Sequence, residues 1–341
     1  MAITVTEFQQ ARIAIDQAGK FGNTNLKVPN YNALAAFMNG SSMLFPSNPL
    51  DAKSSTKQPV SVPVLQKVAP GTKTVRQCDG AGTGSVAEVP ITLSGITEEF
   101  AISELEHKGN DISRERMFQY LLLEKTKAIY TRLNNAMVAY LEANKSPVNA
   151  GTFFGAIAAG AKTVPYADRE DFFSGILAEM AANNIFPPLD MIGDFNLMQL
   201  YMKQMNQGTN NSVNTAFGTA PFNAYWAPIA NGAGVFGTSY VFEPGTVGLY
   251  TWINQLHRDG AAISDAEVWT TQRLPALPGM AQGLEVELKI KRKCADNSTN
   301  VPGGEADLIT SYTMHVDYTA LSPYSEGTDS YIYKYELASA V

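Results

Sequence analysis

Charge is scarce in this sequence. Asp, Glu, Lys and Arg make up 17 % of its 341 residues, against ~25 % in ordinary soluble domains. The balance is acidic, with 32 Asp plus Glu against 25 Lys plus Arg and a net charge of -7. That excludes the basic stripe of a protein that grips nucleic acid tightly. Histidine is rarer still: His107, His257 and His315 are the three. None is read as having a second histidine or a carboxylate at ligand spacing, and no His-Glu-x-x-His metal motif exists. The two cysteines, Cys78 and Cys294, form neither a metal nor a redox spacing. A bridge between them in different subunits is disfavoured by intracellular reduction. Apolar runs are short; the longest, around Phe153 to Ala161, is about half a membrane span. The N-terminus has no basic start or apolar core of a secretion signal, so the expectation is a soluble, intracellular chain.

Hydrophobic residues make up 45 % of the chain, enough for a sizeable core without disulfides or metal. The first fifty residues read as an extended arm with one short helix, Thr6 to Gln17. Gly22, Asn23, Pro29, Asn30, Asn39, Gly40, Pro46 and Pro49 then punctuate it too densely for a compact core, so this segment is expected to need a neighbour to lie against. From Gln58 to Glu106 the pattern is a long two-stranded excursion. Val60, Val62, Val64 and Val68 lead out, Asp79-Gly80-Ala81-Gly82-Thr83-Gly84 is a flexible tip, and Val86 to Ile91 and Leu93 to Phe100 return. A ribbon of two strands is marginal by itself in water. Its apolar face therefore has to dock.

The strongest periodic signal follows. Phe118, Leu121, Leu122, Ile129, Leu133, Met137, Tyr140 and Leu141 recur at three- and four-residue spacing between an N-cap at Asp111 or Ser113 and a stop at Pro147. The spacing predicts one amphipathic helix of about 35 residues, roughly 50 Å long. Beyond it the chain reads as mixed α/β: a helix over Arg169 to Ala182, a buried strand Leu189 to Ile192, and a helix from Phe195 to Asn206. Asp194 is its N-cap and Gly208 its stop. Strands are expected at Ser239 to Phe242 and Gly248 to Trp252. The last third alternates as a sheet through Leu284 to Ile290 and Leu308 to Tyr318, closed by Tyr331 to Tyr335.

Chemistry is mostly missing from these patterns. No Gly-x-Ser-x-Gly elbow offers a serine nucleophile. Gly232-Ala233-Gly234-Val235-Phe236-Gly237 fits Gly-x-Gly-x-x-Gly, but Pro228 interrupts the approach and a strand, not a helix, follows. It reads as a loop rather than a dinucleotide site. His315 in an alternating strand reads as a structural histidine. Glu98, Glu99, Glu104 and Glu106 read as an ion-pair face, and Lys289, Lys291 and Lys293 as one solvated side of a strand.

The order of elements (arm, glycine-tipped ribbon, very long helix, α/β unit, closing sheet) resembles the major capsid proteins of tailed bacteriophages, with the Hong Kong 97-type fold. The stretch Asp190-Met191-Ile192-Gly193-Asp194-Phe195 with its helix, then Gly237-Thr238-Ser239-Tyr240-Val241, is similar to the axial-domain pattern of that family. The resemblance implies an α+β Hong Kong 97-like fold: an N-terminal arm over 1–55, an E-loop hairpin over 56–106, a spine helix of the P-domain over 107–149, an A-domain over 150–264, and the P-domain sheet over 265–341. It implies a structural protein, not an enzyme, that assembles with itself into hexamers and pentamers of an icosahedral shell around double-stranded DNA, touching that DNA weakly. Scaffolding, portal and decoration proteins are the further partners implied; a cofactor, a metal and a membrane are not. It also places the assembly contacts at the E-loop tip, Asp79, Gly80, Gly82 and Gly84, and at axial loops carrying Gly208, Gly232, Gly234 and Gly237. An encapsulin-like compartment shell and a monomeric α/β enzyme or binding protein are the competing readings.

Overall fold

The computed structural model describes residues 2–20, 32–45, 47–51, 53–55, 58–65, 86–103, 114–147, 153–155, 157–158, 160–209, 222–254, 262–264, 267–276, 283–295, 307–322 and 330–340. Two helices come first, α1 (Ala2–Lys20) and α2 (Asn32–Leu44). Their apolar residues are not left waiting for a neighbour. Phe8, Leu34 and Phe37 are fully buried within their own chain, in one cluster with the long helix that follows. The expectation of an arm with nothing of its own to rest on is thereby corrected for these two helices. Phe8, Ala11 and Ile15 of α1 and Leu34, Ala36 and Phe37 of α2 supply the apolar face that packs there.

Strands β1 (Ser61–Leu65) and β2 (Val86–Pro90) pair antiparallel as a separate two-stranded sheet. Residues 66–85, which include the glycine tip, lie outside the described residues. The chain then leaves the ribbon: β3 (Ser94–Ser103) joins the larger sheet instead of continuing the excursion. Its alternation explains why, since Ile96, Phe100 and Ile102 all face the core. Helix α3 (Arg114–Ala143), 30 residues long, lies across that face. Phe118, Leu122, Ile129, Leu133, Met137 and Leu141 form its buried stripe.

The α/β unit follows as β4 (Ile157–Ala158), β5 (Ala161–Val164), a 3-10 turn (Tyr166–Asp171), α4 (Phe172–Ala182), β6 (Leu189–Gly193), α5 (Phe195–Thr209), β7 (Phe222–Trp226) and β8 (Val235–Phe242). The remaining strands are β9 (Gly248–Trp252), β10 (Ala262–Ser264), β11 (Glu267–Arg273), β12 (Glu285–Ala295), β13 (Asp307–Leu321) and β14 (Tyr333–Ala338). They divide between two six-stranded sheets. The larger, with the longer strands, runs β10-β11-β12-β13-β3 with β9 also on β13; the smaller runs β4-β5-β14-β8-β6-β7, with β6–β7 and β5–β14 parallel.

A contiguous division at residue 265 therefore does not describe the sheets. β9 belongs with the late strands and β14 with the early ones. Strand β13 decides the first exchange. Its 15 residues are longer than β12 can cover, so on one edge β12 takes Asp307 to His315 and β9 takes Asp317 to Leu321, while β3 pairs Ile309 to Tyr318 on the other edge. Tyr335 and Leu337, buried against Phe154, Val164 and Val241, decide the second.

Candidate functional site

The larger sheet has two unlike faces. Its inner face is Val286, Leu288 and Ile290 of β12 with Tyr312, Met314 and Val316 of β13, under α1 and α3. The period of two puts Glu287, Lys289 and Lys291, and Ser311, Thr313, His315 and Asp317, on the opposite face. There they line an open cavity of about 620 Å³ with Thr97, Trp252 and Trp269. Thr97 Oγ1 lies 2.7 Å from His315 Nδ1, and His315 Nε2 lies 3.1 Å from Asp317 Oδ1. The hydrogen bond to Asp317 raises the histidine's pKa above its ordinary value, against the opposing effect of burial. Asp317, two residues along the same strand, is thus a carboxylate partner that the spacing rules passed over. Gly95 makes the pairing fit, because a Cβ there would stand 3.0 Å from His315 Cε1 and 3.1 Å from Asp317 Oδ1.

Thr97–His315–Asp317 has the connectivity of a nucleophile, its base and an orienting acid. Thr97 stands on β3 directly opposite His315 of β13. Among the described residues, no group of three or more His, Cys, Asp or Glu is placed to hold a metal ion.

The charged clusters resolve into ion pairs. Glu98, buried on the inner face, receives Lys125 Nζ at 3.0 Å and Arg132 Nη2 at 2.9 Å from α3. Glu267 receives Lys289 Nζ at 2.8 Å, and its hydrogen bonds from Lys289 and Trp269 hold its carboxyl below the usual range. Glu99 lines the polar cavity with Lys289 and Lys291, and Glu104 and Glu106 lie outside the described residues. A pair absent from the sequence reading, Lys162–Glu179, is buried at 2.6 Å, with Glu179 also accepting the Phe154 amide at 2.9 Å.

The glycine motif is a turn. Val235 N donates to Gly232 O at 3.2 Å, Gly234 has φ +79°, and the chain runs straight into β8. Gly237 is needed for packing: a Cβ there would come within 2.6 Å of Leu197 and 2.9 Å of Asp194 Oδ1. Asp194 caps α5, accepting the Leu197 amide at 2.9 Å. Gly232, Gly234 and Gly237 thus share the Asp194 end of α5. Gly208 does not join them; it lies in the last turn of α5, which runs through it to Thr209, so the expected stop there is corrected. Asp79, Gly80, Gly82, Gly84, Cys78, His107 and His257 lie outside the described residues. Cys294 is an exposed free thiol.

Two further features lie outside these motifs. Beside the ribbon is an apolar groove of about 490 Å³, lined by Val62, Val89 and Ile91 with Ala136, Tyr140 and Ala320. The second is a joint. Near the C-terminal end of α3, Glu142 receives Tyr240 Oη at 2.6 Å and Lys334 Nζ at 3.1 Å from the smaller sheet, and also Lys145 Nζ. Burial opposes its ionisation, but the hydrogen bonds from Lys145, Tyr240 and Lys334 prevail and hold its carboxyl below the usual range.

No protein-family profile matches the sequence, and no curated protein matches it. Solved phage structures do. The chain is 11 % identical to one titled cyanophage A-1(L) capsid asymmetric unit, covering 91 % of this chain and 93 % of that one at a TM-score of 0.49. It is 13 % identical to one titled capsid structure of the cyanophage P-SCSP1u, covering 84 % of each chain at 0.45. A structure from Mycobacterium phage Bobi is 11 % identical, with 92 % of each chain covered at 0.46.

Proposed function

We propose that this chain is the major capsid protein of a tailed bacteriophage, a structural subunit that self-assembles into hexamers and pentamers of an icosahedral shell enclosing double-stranded DNA. The observation that carries the reading is the ribbon. β1 and β2 form a two-stranded sheet that belongs to neither six-stranded sheet, beside a 30-residue helix. Such a ribbon has little stability alone, and a subunit that repeats one head-to-tail contact builds rings and closed shells. In this reading the ribbon is the E-loop, α3 the spine helix, and the smaller sheet with α4 and α5 the core of the A-domain. Low charge suits a surface that is covered by copies of itself, and the net acidity leaves only weak, non-specific contact with packaged DNA.

Purified full-length protein, viewed by negative-stain microscopy, is expected to form uniform closed particles, and particles from the native source to protect DNA from nuclease. A single species near 36.9 kDa in size exclusion at all concentrations, with saturable nucleotide binding, would reject the reading. Removing residues 79–85 is expected to abolish particles while the circular dichroism spectrum and unfolding midpoint of the isolated chain stay unchanged. Normal shells from that variant would remove the tip from the contact.

A further inference from the structure

Among the described residues neither edge of the ribbon pairs with another strand, and its register shows what each edge presents. Ile91 N donates to Val60 O at 2.8 Å, which makes that pair a hydrogen-bonded one. The register continues without a bulge through Ser61–Pro90, Val62–Val89, Pro63–Glu88, Val64–Ala87 and Leu65–Val86. In an antiparallel ladder, hydrogen-bonded and non-hydrogen-bonded pairs alternate. Val62–Val89 and Val64–Ala87 therefore turn their amides inward. Ser61, Pro63 and Leu65 on one edge, and Val86, Glu88 and Pro90 on the other, turn theirs outward.

Each edge thus carries a proline at an outward position, Pro63 in the middle of one and Pro90 at the end of the other, and both are exposed. Proline has no amide to donate, and within sheets it is confined to such edge positions. The placement has a consequence for a subunit that meets many identical ribbons at high local concentration. Short, valine-rich strands with open edges template unwanted strand addition. Proline at an inward position would break the ribbon itself; at an outward one it spoils only the pairing with a stranger.

We infer that Pro63 and Pro90 close the ribbon to strand addition, so that a second copy of this chain meets it through side chains and not through main-chain pairing. The inference rests on the shell reading for the identity of that second copy.

Two measurements on the full-length chain test it. In assembled particles, site-resolved hydrogen exchange should leave the outward amides of Ser61, Leu65, Val86 and Glu88 exchanging many-fold faster than the inward amides of Val62, Val64, Ala87 and Val89. Equal protection of both sets in particles overturns the inference. Separately, Pro63→Thr with Pro90→Thr restores the missing donors. The double variant is expected to give a severalfold rise in thioflavin T fluorescence and fibrous or irregular aggregates at concentrations where the parent chain gives none. A double variant that stays free of thioflavin binding and assembles like the parent overturns it as well. If the parent chain forms no particles, the shell reading fails by itself, and the thioflavin comparison still decides whether the prolines guard the edges.

Discussion

At the scale of single residues, the structure turns on polar groups placed where the apolar pattern expects none. Tyr130, fully buried, donates its hydroxyl to Pro275 O at 3.1 Å and accepts the Leu284 amide at 3.1 Å, tying the base of the β11–β12 connection to α3. Tyr130→Phe leaves both main-chain groups unsatisfied and is expected to cost about 1–3 kcal/mol, read from urea unfolding. Lys162 and Glu179 behave differently. Lys162→Met alone strands a buried carboxylate and is expected to cost about 3–5 kcal/mol, whereas Lys162→Met with Glu179→Leu is expected to recover part of that loss, the Phe154 amide then lacking its acceptor at about 1–3 kcal/mol. His315 gives the molecule a pH dependence of definite sign. Its folded pKa is raised, so its contribution to stability is fully present below the unfolded value of about 6.5 and is lost as pH rises through the higher folded value. The urea midpoint should fall across that window in the parent and lose this component in His315→Gln.

At the scale of elements, α3 organises its neighbours by more than its apolar stripe. Thr126 and Asn134 are buried on it among the leucines. Thr126 donates back to Leu122 O at 2.7 Å, and Asn134 Oδ1 accepts the Leu34 amide at 3.2 Å. That amide is one of the first four of α2, which have no acceptor within their own helix. Asn134→Ala is expected to cost about 0.5–2 kcal/mol and to speed amide exchange in α2 before it does so in β12 and β13; uniform acceleration would refute a capping role. The signal was legible in part. Position 134 falls in the helix's buried stripe, and an asparagine there announces a partner, but which amide it meets depends on how α2 crosses α3.

At the scale of the whole molecule, the two sheets are held by strands exchanged along the chain and by Glu142. β9 and β14 each pair away from their sequence neighbours, so neither sheet is complete without a distant part of the chain. Glu142 adds a charge-assisted contact from α3 to β8 and β14. A carboxylate close to a helix C-terminus is unfavourable there by itself, and the donors from the smaller sheet offset that. Burial pushes the pKa of the Tyr312 hydroxyl up to about 12.

The sequence by itself determined the elements whose cause is local. The stripe of α3, the cap at Asp194, the turn before β8 and the alternation of β12 and β13 follow from spacing and residue type, because a helix face, an N-cap and a pleated strand are each decided within a few residues. The mixed α+β class follows from the same patterns. Only the tertiary structure decided that the helices of the first fifty residues are buried by their own chain, that β9 and β14 change sheets, and that His315 has Asp317 for a partner. Those outcomes depend on which surfaces are left uncovered once α3 and β13 are in place, and periodicity carries no information about a distant strand's length or a neighbouring helix's crossing point.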